Sequence, residues 1–193
     1  MDDVYKHIIT YLKQKSNIYI ESCKFAPSIT IALPGHSNSP SRIIESSLFF
    51  FPDAIEIRVY YACPGPQIVS NNLERLPSLY RLLNYLNARV FVKNMDGVGN
   101  EFYRPSYLLQ PRFYLTEDGQ YDITATVILE KDFFGLAPLE IEDFITIALP
   151  ALMNALSPYI FGVVTGKLAV EAAIRQIQRN ILSDSEEHSW GGA

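Results

Sequence analysis

The chain has 193 residues, 48% of them hydrophobic and 19% charged, which is the composition of a folded globular protein and excludes a disordered one. Its formal charge is −5 and its pI is near 5.2, so no overall field draws in a phosphate backbone and nucleic acid is not expected as a partner. At this length one core buries roughly two-thirds of the unfolded surface, so neither a disulfide nor a metal is needed to hold it.

The start, Met1-Asp2-Asp3-Val4-Tyr5-Lys6, lacks the basic-then-apolar order of a secretory signal, and a reducing, cytoplasmic setting is expected. Cys23 and Cys63 follow no metal-ligand spacing and read as two small buried hydrophobes. Asp2 or Asp3 caps a first helix, whose apolar positions Val4, Ile8, Ile9 and Leu12 recur at helical spacing. Four strand-like runs follow: Asn17–Lys24, Ser28–Leu33, Ile43–Phe51 and Ala54–Ala62. Pro34–Ser41 between them is an exposed loop, and Pro52-Asp53 turns a hairpin. The fourth run alternates Ile55, Ile57, Val59 and Tyr61 with Glu56, Arg58 and Tyr60, as in a sheet with one wet face. Cys63-Pro64-Gly65-Pro66 ends it.

A leucine-rich helix comes next, carrying Leu73, Leu76, Leu79, Leu82, Leu83 and Leu86, with Pro77 placing its regular part from there onward. Asn94 to Gln110 is turn-rich and reads as an insertion. In the hairpin that follows, a three-residue Glu117-Asp118-Gly119 loop would set Leu115 against Tyr121 and Phe113 against Ile123. A two-residue Asp118-Gly119 turn would instead face Leu115 with Asp122, so the hydrophobic register favours the bulged loop. Pro138 opens a further helix, with Glu140, Glu142 and Asp143 near its positive end. Its apolar residues cover almost the whole circumference and require cover on more than one side. From Phe144 to Gly166 no side chain is charged, a span long enough for a bilayer. Pro150, Asn154, Ser157 and Pro158 interrupt it, so a helix packed by protein is expected and no membrane span. Thr165 caps a last helix, Lys167–Leu182, striped by Val170, Ile174, Ile177 and Ile181. Residues 1–182 form a single α+β domain in this reading, and Ser183–Ala193 is an acidic, disordered tail.

Leu83-Asn84-Tyr85-Leu86-Asn87, the Phe113-to-Leu129 hairpin around Asp118-Gly119, Pro150-Ala151-Leu152, Gly166 and Glu171-Ala172-Ala173-Ile174 carry a resemblance. Together with the element order, they make the chain resemble the YbjN-like bacterial sensory-transduction regulators, whose fold is similar to that of type III secretion chaperones. The resemblance spans about the C-terminal half, and the Asn94–Gln110 insertion departs from it. It implies an antiparallel β-sheet with helices packed on it, self-association and protein binding, and it transfers no catalytic residue.

The motifs of chemistry are weak. Gly97-Val98-Gly99 hints at a dinucleotide loop, but Phe102 replaces the third glycine and Tyr103-Arg104-Pro105 does not open a helix. Asn94, Asp96 and Asn100 superficially resemble a calcium loop whose glutamate position falls on Pro105. His7, His36 and His188 stand apart, without metal-ligand spacing, and His36-Ser37 lacks a nucleophile elbow. No catalytic residue, metal or cofactor is therefore assigned. The expectation is a non-enzymatic protein-interaction or regulatory module, chaperone-like, that binds a protein or peptide partner as a homodimer. Its candidate interface is Phe49, Phe51, Ile141, Ile145, Leu149, Leu152 and Leu156, with burial in the monomer's own core as the competing account. The alternative is a small-molecule sensor or enzyme with an aromatic-lined pocket, using His36, Tyr103 and Arg104.

Overall fold

Successive side chains of a strand point to opposite faces, so a strand that alternates apolar with polar residues can dry only one side of its sheet. In the computed structural model, which describes residues 3–23, 26–90, 94–95, 101–102, 110–116 and 119–182, that rule sets the architecture. The strands β1 (Ile18–Ser22), β2 (Ser28–Pro34), β3 (Ile43–Phe50) and β4 (Ala54–Tyr61) form an antiparallel meander. A later hairpin, β7 (Arg112–Leu115) and β8 (Ile123–Glu130), adds β8 beside β4 and leaves β7 at the edge, giving the order β1-β2-β3-β4-β8-β7. Between β4 and β7 a separate pair, β5 (Asn94–Met95) and β6 (Glu101–Phe102), belongs to the region read as an insertion. The fold is α+β, as expected.

One face of the sheet is the core. Ile29, Ile31, Ile44, Leu48, Ile55, Ile57, Val59, Ala125 and Val127 all lie on it, buried. The helices that cover it are α1 (Asp3–Gln14), α3 (Leu76–Arg89), α6 (Leu149–Val164) and α7 (Val170–Ile177). Shorter turns of helix complete the layer: α2 (Gly65–Ser70), α4 (Lys131–Leu136) and α5 (Pro138–Asp143). Pro77 falls in the first turn of α3, where its missing N–H costs nothing, and a 3₁₀ turn at Leu73–Arg75 carries the leucines before it.

The apolar helix is the centrepiece of that layer. From Pro138 to Val164 it runs through α5, a π-helical turn at Phe144–Ala148 and α6. The Leu149 N–H donates to the carbonyl of Phe144, five residues back, and widening the turn there accommodates Pro150, whose ring cannot sit against the carbonyl four residues earlier. The span is long and apolar enough to cross a membrane, yet half of its most apolar 18-residue window is buried inside the chain. Tyr61 of β4 pins it: the hydroxyl donates to the Met153 carbonyl at 2.7 Å, and the ring meets Phe161 edge-on. On the loop after β2, the Asn38 N–H donates to Asn154 Oδ1 and Ser157 donates to the Asn38 carbonyl. The polar residues that interrupt the span thus anchor it to a loop. Gly166 (φ 69) then ends α6, its N–H donating to the Val163 carbonyl, with the Arg75 guanidinium packed where a side chain would project.

Four sequence readings need correction. Both cysteines are exposed and form no disulfide, because Cys23 follows the edge strand and Cys63 lies in the turn before α2, where its sulfur accepts from Gln67. Thr165 does not open the last helix: its hydroxyl donates to the Phe161 carbonyl at the end of α6, and α7 begins after Ala169. The hairpin pairs Leu115 with Ile123 and Phe113 with Ala125, so its loop is longer than either alternative weighed. Thr116 closes it, accepting the Asp122 N–H on its hydroxyl and donating its own N–H to the Asp122 carbonyl. Gly119 and Tyr121 then take the two left-handed positions. The side chains keep the faces of the favoured register because the shift is two residues. The fourth correction concerns the candidate interface on the long helix. Ile141, Ile145, Leu149, Leu152 and Leu156 are all buried against the chain's own sheet and helices. The tail 183–193, His188 and the Gly97-Val98-Gly99 motif lie outside the described residues.

Leu149→Ala is therefore expected to cost about 2–5 kcal/mol of unfolding free energy, the range for a truncated core leucine, in urea titration followed by circular dichroism. A midpoint unchanged from wild type would place Leu149 outside the core.

Candidate functional site

The sheet's second face is one of the places where the described residues leave large side chains uncovered, the helices leaving Leu136, Leu139 and Ile147 exposed as well. Strand register sorts it into three rows. Ile18, Ala32, Glu45, Tyr60, Thr124 and Tyr114 make one row. Ile20, Thr30, Ser47, Arg58, Thr126 and Arg112 make the next, and Ser22, Ser28, Phe49, Glu56 and Ile128 the third. Its three isoleucines, Ile18, Ile20 and Ile128, are 70%, 72% and 66% exposed. Between them runs a polar spine: the Thr30 and Ser47 hydroxyls lie 2.8 Å apart and those of Ser47 and Tyr60 2.9 Å apart. Burial beneath its neighbours pushes the Tyr60 phenol up to about 12. Arg58 grips Glu56 through two hydrogen bonds of 2.8 and 3.0 Å and lays its guanidinium over the Phe49 ring, 4.7 Å from the centroid. The carboxylate partner holds the Arg58 guanidinium above its usual range. Of the candidate interface residues, Phe49 therefore sits on the open face under Arg58. Phe51, 41% exposed, sits beyond the end of β3.

A second polar arrangement joins α1 to the long helix. Glu142, in the last turn of α5, is buried, and its Oε1 lies 3.0 Å from Nε2 of the half-exposed His7. The contact is an ion pair, and by strict hydrogen-bond geometry neither carboxylate oxygen has a partner among the described residues. Burial raises the Glu142 carboxyl above its ordinary range, and the neighbouring His7 charge pulls the other way. Phe134 stands edge-on to the imidazole at 5.5 Å, and Tyr11 and Thr146 bring their hydroxyls to 3.0 Å one turn further along. A buried carboxylate behind a half-exposed imidazole is how general bases are oriented, yet no nucleophile stands at hydrogen-bond distance among the described residues. The pair ties two helices together. The sequence could not reveal it, because 135 residues separate its members.

A third feature is a cleft of about 560 Å³ between the start of α1, β1 and the β3–β4 turn. Tyr5, Glu21, Phe50, Phe51, Pro52 and Lys131 line it. Tyr5 donates its hydroxyl to the Glu21 carboxylate, and Lys131 donates to the Pro52 carbonyl at 2.8 Å. Burial and the adjoining carboxylate push the Tyr5 phenol up to about 12. His36, expected in an aromatic pocket, lies elsewhere, on the loop after β2, and burial lowers its pKa. Tyr103 and Arg104 lie outside the described residues. No group of three His, Cys, Asp or Glu among the described residues is placed to hold a metal ion. Compared with known proteins, the chain matches no family model, no curated protein and no solved structure.

The Glu142 geometry has a pH consequence. A carboxyl with a raised native pKa contributes stability that is full below its unfolded pKa and is lost as pH rises through the native value. Glu142→Gln removes that loss. Relative to wild type, its thermal midpoint is expected to improve as pH rises above 4.5, the carboxyl's ordinary value, and to level off once the native carboxyl has ionised. A constant difference as pH rises would show that Glu142 is not strained when ionised.

Proposed function

We propose that the chain is a non-enzymatic protein-interaction or regulatory module that binds a protein or peptide segment and works as a homodimer in the cytoplasm. The observation that carries this reading is the open sheet face, where Ile18, Ile20 and Ile128 remain about two-thirds exposed or more. An antiparallel sheet tolerates water on one face when that face is polar. Here isoleucines flank a short polar spine, the pattern of a surface that exchanges water for a partner. The Arg58–Phe49 stack adds the kind of residue that anchors interfaces. The edge strand β1 strengthens the reading. Among the described residues no strand pairs with its outer side, and Ile-Tyr-Ile contains none of the lysines or prolines that blunt such edges. The antiparallel sheet with helices on one face agrees with the YbjN-like, chaperone-like resemblance, which supports the same function.

A second reading, a small-molecule sensor, draws on the cleft beside Tyr5, whose size suits a ligand and whose walls are mostly apolar.

Sedimentation velocity tests the first reading. The wild-type chain is expected to sediment as a dimer at micromolar concentration, and Ile20→Glu with Ile128→Glu as a monomer. Because both positions are exposed, that double variant is expected to keep its unfolding free energy in urea within about 0.5 kcal/mol per site. A wild-type monomer at high concentration would remove the homodimer, and a dimeric double variant would move the interface off this face.

A further inference from the structure

The cleft at the start of α1 joins aromatic walls to a carboxylate, and that combination selects for charge. The Tyr5 and Phe50 rings meet edge-on, their planes at 71° and their centroids 5.0 Å apart, and both border the cleft although little of either is exposed. Phe51, projecting from the β3–β4 turn, supplies a third aromatic surface. Aromatic faces are electron-rich and attract cations through their quadrupole. Glu21 adds a full negative charge at the same wall, fixed in place by the hydroxyl of Tyr5.

We infer that this cleft binds an organic cation, an alkylated ammonium carried on a short apolar body. The claim rests on the small-molecule reading of the cleft and names its ligand class. The ammonium head sits against the rings and the Glu21 carboxylate, and the apolar body replaces water along Phe51 and Pro52. Among the described lining residues, Lys131 alone opposes this choice. Its ammonium is drawn to the Pro52 carbonyl at the turn, while its methylene stem adds to the apolar wall. A carboxylate ligand would reverse the arrangement, turning toward Lys131 and away from Glu21, so ligand charge separates the two. No covalent step is involved.

The test titrates the full chain, by calorimetry and by amide chemical shifts, with hexyltrimethylammonium, hexanoate and hexanol. The cation is expected to bind about ten-fold more tightly than the alcohol. Glu21→Gln and Phe51→Ala are each expected to weaken it about five-fold, and Lys131→Met to tighten it. Both weakening substitutions fall at exposed positions, and their unliganded thermal midpoints control for folding. Preferential binding of hexanoate, abolished by Lys131→Met, would overturn the cation while leaving a small-molecule site. Equal binding of all three would reduce the cleft to an apolar surface and overturn it too. No binding of any probe at millimolar concentration would overturn both the ligand class and the small-molecule reading.

Discussion

The structure depends on one act of burial: the uncharged helix from Pro138 to Val164 lies on the dry face of a six-stranded antiparallel sheet. Each partner is unstable in water without the other. The sheet offers a continuous apolar face from Ile29 across to Val127, and the helix is apolar around nearly its whole circumference. Helices α3 and α7 then close over the sides of α6 that the sheet cannot reach. The polar residues within the span work in the same direction. Tyr61 donates to the Met153 carbonyl and Asn154 and Ser157 bond the Asn38 backbone, so the helix is fixed in place as well as covered.

That packing has a local cost, and it falls at the turn before α6. Pro150 cannot continue an ordinary α-helix, and the π turn at Phe144–Ala148 takes up the extra residue. Immediately before that turn lies Glu142, a carboxylate taken out of water with a single histidine for company. A pair of this kind seldom adds net stability over an apolar replacement. What it does in this fold is join α1 to the long helix at one fixed point. A half-exposed imidazole in front of a buried acid also makes that contact responsive to pH.

With every described covering helix on one side, the surface offers two chemically distinct places besides the apolar side chains left exposed on the helices, Leu136, Leu139 and Ile147. The open sheet face is broad and flat, apolar at its flanks and hydrogen-bonded along its middle, which suits another polypeptide. The cleft at the end of the sheet is narrow and aromatic with a carboxylate in its wall, which suits something small. They lie on different parts of the molecule, since Tyr5 and Phe50 belong to the covered face while Arg58 and Phe49 belong to the open one. Occupation of one therefore does not by itself block the other.

The sequence alone determined the class and most of the longer elements, but not the short helices α2 and α4 or the start of α7. Period-two alternation in Ala54–Tyr61 marked a sheet with one wet face, Pro77 marked where α3 becomes regular, and prolines within the apolar span favoured a protein-packed helix over a bilayer. These signals are local, and a strand or helix expresses them wherever it ends up. The hairpin register was only partly legible, because a loop closed by Thr116 keeps the same faces as a shorter one. What tertiary structure alone decided is which apolar residues meet which. Ile141, Ile145, Leu149, Leu152 and Leu156 became core, whereas Ile18, Ile20 and Ile128 stayed exposed, though all are equally hydrophobic as letters. The long-range pairs His7–Glu142 and Tyr5–Phe50 were equally invisible. Burial and proximity depend on what lies across the fold, and no spacing along a single chain encodes that.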